Sequence, residues 1–124
     1  MRRYEVIYII NPNLDTESLS EVVDKFSDII TKLKGYVVKI NQWGKKKLAY
    51  EVKQFDKGYY VECDFCGVPA TVNELERNLK LDDRVLQYIT VKVDENVDPD
   101  EVMSREQQQD TVAEEGHDQV LEEG

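Results

Sequence analysis

The chain has 124 residues, enough for one domain with a modest core and too few for two. Its formal net charge of −10 is divided unevenly: residues 1–93 carry 15 basic and 14 acidic side chains, and residues 94–124 carry 1 and 12. Two cysteines do not make a disulfide framework, no run is long enough to span a bilayer, and the opening "MRRYEVIYII" is broken by Glu5 and ended by Asn11-Pro12 before a secretory core could form. A reducing, cytoplasmic setting is expected.

In chain order, "YEVIYII" (4–10) is β-branched and aromatic and stops at the turn residues Asn11-Pro12-Asn13. Leu19, Val22, Val23, Phe26, Ile29, Ile30 and Leu33 then recur at helical spacing. Asp15 is placed to cap this helix, and Gly35 to close it at the C′ position. Residues 36–52 read as a strand with a bulge or bend at Gly44, "FDKG" (55–58) as a hairpin loop, and "YYVECDF" (59–65) as the returning strand. Thr71 to Lys80 is a second helix, with capping-box spacing between Thr71 and Glu74 and a stripe of Val72, Leu75 and Leu79. "RVLQYITVKV" (84–93) is the last strand. Two domains of behaviour follow: a folded body over 1–93, and an acidic tail over 94–124 whose composition cannot bury a core and is expected to be disordered alone.

The order strand–helix–strand–strand–helix–strand predicts a ferredoxin-like α+β sandwich, a four-stranded antiparallel sheet with two helices on one face. Carboxylates mark the uncovered face, because burying one beneath a helix is costly. Tyr4, Val6, Tyr8 and Ile10 should face the helices in the first strand, and Tyr59, Val61, Cys63 and Phe65 in the third. The open face then holds Ile7, Ile9 and Tyr60 among Glu5, Glu62 and Asp64, an apolar spot suited to a protein partner or, as the plainer account, covered by the tail or a loop.

Candidate chemistry is sparse. Cys63-x-x-Cys66 lacks two further zinc ligands, the lone His117 lying in the tail, and on a strand the two thiols point to opposite faces, one to the core and one to the surface. Gly44-Lys45-Lys46-Lys47 is not a phosphate loop, and no histidine or elbow serine in the body supports catalysis. No catalytic residue, metal or cofactor is expected. The three lysines can guard an exposed strand edge, where one or two suffice. A run of three, with Arg2 and Arg3 entering the same sheet, favours contact with nucleic-acid phosphates. Trp43 beside them can stack on a base, pack on a partner, or fold over the hairpin.

"MRRYE" (1–5), "NPNL" (11–14), "GKKKLAY" (44–50) and "KGYY" (57–60), in this order, resemble the bacterial small-subunit ribosomal protein S-six family across residues 1 to about 93. The resemblance implies the same ferredoxin-like fold, no enzymatic activity, and a structural role in the small ribosomal subunit. Its implied partners are small-subunit ribosomal RNA and ribosomal protein S-eighteen, the latter as a heterodimer, with no membrane and no small-molecule substrate. Carried over by position, Arg2, Arg3, Lys46 and Lys47 become RNA-binding candidates. Lys45 joins them by charge, and Lys80, Arg84 and Lys92 extend the surface around the second helix and last strand. Leu86-Gln87 stand where members often carry basic residues, which puts RNA contact there in doubt. Ile7, Ile9, Trp43 and Tyr60 are the partner-binding candidates. Rival readings are an RNA-recognition module, which would need Tyr59 outward and so Glu62 and Asp64 beneath the helices, and a small ferredoxin-like regulatory domain, which would need a ligand cleft.

Overall fold

A computed structural model describes residues 1–104. The elements run β1 (Arg2–Ile10), α1 (Thr16–Lys32), β2 (Tyr36–Val52), β3 (Phe55–Gly67), α2 (Pro69–Leu81) and β4 (Val85–Asp94). The four strands form one antiparallel sheet in the order β2-β3-β1-β4. This is the ferredoxin-like arrangement expected from element order.

The strand faces follow the carboxylate argument. Tyr4, Val6, Tyr8 and Ile10 of β1 and Val61, Cys63 and Phe65 of β3 are buried with Val22, Val23, Phe26 and Ile30 of α1 and Leu75 and Leu79 of α2. Tyr4 stacks on Phe65 with ring centroids 5.5 Å apart, and Tyr8 meets Phe26 edge-on at 5.2 Å. Tyr59 packs against this same core, and its hydroxyl donates to Gln42 Oε1 at 2.7 Å. It is therefore not the outward ring that an RNA-recognition module requires.

The helix ends differ from expectation by a residue or two. Asp15 does cap α1, accepting from the Ser18 N–H at 2.8 Å. At the other end Lys34, not Gly35, takes the left-handed conformation (φ 62°), and the Lys34 and Gly35 amides bond back to the Thr31 and Ile30 carbonyls in a Schellman closure. Gly35 is needed for space, since a Cβ there would lie 2.8 Å from Ile30 Cγ2 and 2.9 Å from the Cys66 carbonyl oxygen. Helix α2 starts two residues early, at Pro69 in the first turn, which suits its fixed φ and missing N–H. Thr71 is then the third helical residue, and its hydroxyl accepts from the Val68 N–H.

The β2–β3 hairpin departs more from expectation. "FDKG" is not a loop but part of β3, and the turn is Lys53-Gln54, both at positive φ (50° and 71°). Two-residue hairpin turns of this hand match strand twist, and here tertiary context imposes one on residues without the usual turn propensity. The tip does not project freely. Lys53 Nζ donates to the Val85 carbonyl at 3.1 Å, reaching β4 across the sheet, and Leu48 is buried with Ile9 and Leu86 on the open side. Gly58 makes that closure possible, because a Cβ there would fall 2.1 Å from Ile9 Cγ2.

The thiol of Cys66, expected at the surface, is fully buried. Cys66 lies opposite Arg3 at the end of the sheet where the chain beyond β4 turns back. There the Val97 N–H donates to the Met1 carbonyl at 2.8 Å, and Val102, in a helical turn over 99–104, is also fully buried. Residues 94–104 therefore continue the body instead of leaving it, because valines at 97 and 102 give the segment apolar groups to bury. The remainder of the acidic tail, 105–124 with His117, lies outside the described residues.

Replacing Gly58 with alanine forces Ile9 off its seat. The expected loss is about 1–3 kcal/mol of unfolding free energy, as for other overpacked core sites. Denaturant titration measures it, and a change within about 0.5 kcal/mol, the ordinary surface range, would show that Ile9 yields freely.

Candidate RNA and protein interface

Side chains alternate across a strand, so a run of three lysines cannot present three charges to one surface. Pairing settles which goes where. Lys45 lies opposite Tyr59 and Lys47 opposite Lys57, on the helix side, whereas Lys46 lies opposite Gly58 on the open side. Among the described residues no carboxylate is within ion-pair range of any of the three.

Gly44 decides the company Lys46 keeps. It sits at φ +86° beside the register shift between Gln42 and Gly44, so β2 holds one extra residue here, as the expected bulge requires. No atom lies within 4 Å of a Cβ built at Gly44; the glycine serves its backbone angle, not a tight contact. The extra residue is Trp43. Odd and even positions would otherwise face apart, but the bulge brings Trp43 and Lys46 to the same side. Lys46 Nζ stands 5.2 Å from the indole centroid, and the indole stacks on Tyr60 with centroids 6.4 Å apart and planes 18° from parallel.

This stack forms one wall of an open depression of about 310 Å³, lined by Ile7, Ile9, Trp43, Tyr60, Gln87, Tyr88 and Ile89. All four partner-binding candidates are brought together. Ile89, which strand pairing sets opposite Ile7, was missed, although it is 59 % exposed. Val91 and Val93 extend the same apolar row along the edge strand. The alternation Gln87-Ile89-Val91-Val93 was visible in sequence. No charge marked its face, however, and a bulge opposite Ile9 and Ile10 shifts the register of β4 by one residue. That shift also turns Leu86 from the helix side to the open side, where it is buried against Ile9 and Leu48, a setting that suits an apolar residue and not a basic one.

Acidic groups flank the depression. The Glu5 carboxyl is pushed above its ordinary range first by burial and then by Glu62 and Asp64. Asp64 is itself held by Arg3, whose Nε and Nη2 donate to its two oxygens at 3.0 and 2.7 Å.

The eight RNA-binding candidates do not form one patch. Arg2, Arg3 and Lys92 lie at one end of the sheet, and Lys45–Lys47, Lys80 and Arg84 toward the other, separated by the length of β1. At nine residues that strand spans roughly 27 Å. Three candidates are engaged within the chain: Arg3 with Asp64, Lys92 with Glu95, and Arg84 with Asp82. Arg2 lies close enough to Glu95 to help lower its pKa, and Lys80 lines a crevice with Lys53 between α2, β4 and the hairpin tip. Cys63 and Cys66 are free thiols, and burial pushes Cys63 up to about 12. Among the described residues no group of three or more His, Cys, Asp or Glu could hold a metal, and no helix is long and apolar enough to cross a membrane.

Known proteins bear on this arrangement directly. A sequence profile described as "Ribosomal protein S6" matches residues 3–92. The chain belongs to the ribosomal protein S6 family. Among its relatives, the small ribosomal subunit protein bS6 of Moorella thermoacetica is 46 % identical over 95 residues, covering 77 % of this chain and 97 % of that protein. The bS6 of Desulfatibacillum aliphaticivorans is 41 % identical over 102 residues, 82 % of this chain, which spans 55 % of that longer protein. The crystal structure of 30S ribosomal protein S6 from Thermotoga maritima superposes with a TM-score of 0.70 at 30 % identity, over 73 % of this chain and 86 % of that one. The C-terminal domain of the MgtC protein from Mycobacterium tuberculosis shares the fold alone, with a TM-score of 0.53 at 14 % identity over 76 % of this chain and 89 % of that domain. As a family member the protein is a component of the small ribosomal subunit and takes part in translation.

The best-buried charge among the described residues is Asp82, whose carboxyl is held far below the usual carboxylate range by hydrogen bonds from Arg84 and then Lys25. A depressed carboxylate stabilises the fold fully above its unfolded pKa, about 3.9, and the contribution fades as pH falls below that toward the folded value. Asp82→Asn should cost about 1.5–3 kcal/mol at neutral pH, the range for hydrogen bonds to charged groups. Urea unfolding from pH 5 to pH 2 should show a shallower acid loss in the variant than in the wild type; parallel curves would remove Asp82 as the cause.

Proposed function

We propose that the protein is a non-enzymatic scaffold of the small ribosomal subunit, binding small-subunit ribosomal RNA together with ribosomal protein S-eighteen in the bacterial cytoplasm. The observation that supports this reading is the separation of two unlike surfaces on one rigid sheet. Lysines with no carboxylate partner among the described residues line the β2–β3 hairpin, and an apolar depression edged by Glu5 and Glu62 occupies the open face.

Lys45, Lys46 and Lys47 suit phosphate contact, which positions a folded RNA without reading its bases. Lys80 adds to that surface at the hairpin end, and Arg2 offers a separate cation at the far end of the sheet. Arg3, Arg84 and Lys92 are assigned a smaller share, since each would have to leave or share an intramolecular carboxylate. The depression suits a basic protein that inserts an apolar side chain while its cations meet Glu5 and Glu62, relieving the repulsion that, after burial, raises the Glu5 pKa. Ile7, Ile9, Trp43 and Tyr60 are its partner-binding residues, with Ile89 added from the structure.

Two measurements test the reading. In Lys46→Ala/Lys47→Ala the affinity for a small-subunit ribosomal RNA fragment should fall, and the slope of log K against log salt should flatten by about one unit for each phosphate no longer neutralised. An unchanged slope would return the lysines to edge protection. Ile89→Asp should weaken ribosomal protein S-eighteen by about tenfold or more by calorimetry, since a charge would sit in the centre of the contact. Unaltered affinity would move that partner off the open face.

A further inference from the structure

Lys46 belongs to both surfaces at once. It is one of the hairpin lysines offered to phosphate, and its ammonium also lies over Trp43, which walls the apolar depression. Neither Lys45 nor Lys47 shares this position, because strand parity turns them to the other side. We propose that Lys46 is a positioning residue that links the two sites, so that a phosphate bound to its outer side and a protein docked on Trp43 strengthen each other. The proposal rests on the docking reading given above and assigns it a physical means of communication.

Three steps of electrostatics carry it. Lys46 is exposed, so one side of the ammonium faces the indole while the rest is hydrated and open to a counter-ion. A protein covering Trp43, now 42 % exposed, removes water from beside that ammonium. Desolvating a cation is costly unless an opposite charge or an aromatic face replaces the water, and in the drier setting both the phosphate attraction and the cation–π contact grow. A phosphate already in place therefore lowers the cost of docking. By reciprocity a docked protein raises phosphate affinity by the same factor. The bulge at Gly44 is the structural condition, since without the extra residue Trp43 and Lys46 would face apart.

Trp43 is the sole tryptophan, so its fluorescence reports the stack in the whole chain. Titrating inorganic polyphosphate, a polyanion with no bases to stack, should shift the Trp43 emission of the wild type and of Lys57→Gln, which removes a hairpin charge on the helix side. In Lys46→Gln the emission should differ at the outset and stay flat. With ribosomal protein S-eighteen as the docked protein, a saturating small-subunit ribosomal RNA fragment should tighten docking about fivefold in the wild type and in Lys57→Gln, within the usual range of coupling. In Lys46→Gln the factor should fall to about one, the limit in which coupling is absent. A Lys46→Gln protein that keeps the fivefold factor overturns the linkage. So does a wild-type emission that ignores polyphosphate. If Ile89→Asp also leaves docking intact, the docking reading falls with it; if Ile89→Asp weakens docking while the coupling in Lys46→Gln persists, only the linkage fails.

Discussion

Helices cover only one face of this sheet, and that constraint organises everything else in the molecule. Every strand residue faces either a closed core or an open surface, and alternation along the chain fixes which. On the closed side Tyr8, Phe26, Phe65, Leu75 and Leu79 are packed out of water, with no charged residue in the cluster. On the open side the same strands place Ile7, Ile9, Tyr60 and Ile89 beside Glu5, Glu62 and Asp64. An uncovered apolar face in a small domain is a standing liability for association, and the molecule limits it. The hairpin tip folds over one end through Leu48 and Lys53, and the chain past β4 turns back at the other, leaving the centre open.

Much of this was legible in the sequence because charge is an unambiguous marker of side. Glu5 in β1 and Glu62 and Asp64 in β3 fix the orientation of the two central strands, and from them the core, the open face and the fold class follow. Helix α1 was legible from seven apolar residues at helical spacing and a capping aspartate. What could not be read was whatever depends on register. The bulges at Gly44 and opposite Ile9–Ile10 each shift a strand by one residue, and one residue exchanges faces. They bring Trp43 alongside Lys46 and turn Leu86 to the open side, against simple alternation.

The remaining misreadings have a different origin. Lys53-Gln54 forms the hairpin turn and Lys34 adopts a left-handed conformation without the residue types that favour either, because neighbouring pairing and helix closure fix the backbone there. Cys66 is buried at the end of the sheet where it pairs with Arg3 of β1 and Tyr36 of β2, a setting that spacing along a strand cannot reveal. Arg3 and Arg84 read as two more cations in composition, yet each lies against a carboxylate in space. A count of charges bounds an electrostatic surface, and the pairing of those charges determines what is left for a ligand.

If one hairpin and sheet serve both ligands, RNA and protein must meet different sides of them. The sharpest test is the backbone amide shifts of the labelled full chain, recorded during separate titrations with a small-subunit ribosomal RNA fragment and with ribosomal protein S-eighteen. RNA-induced shifts should centre on Lys45–Lys47 and protein-induced shifts on Ile7, Tyr60 and Ile89, overlapping at Trp43 and Lys46. Protein-induced shifts confined to α1 and α2, or RNA-induced shifts centred on the open-face isoleucines, would refute this division of surfaces.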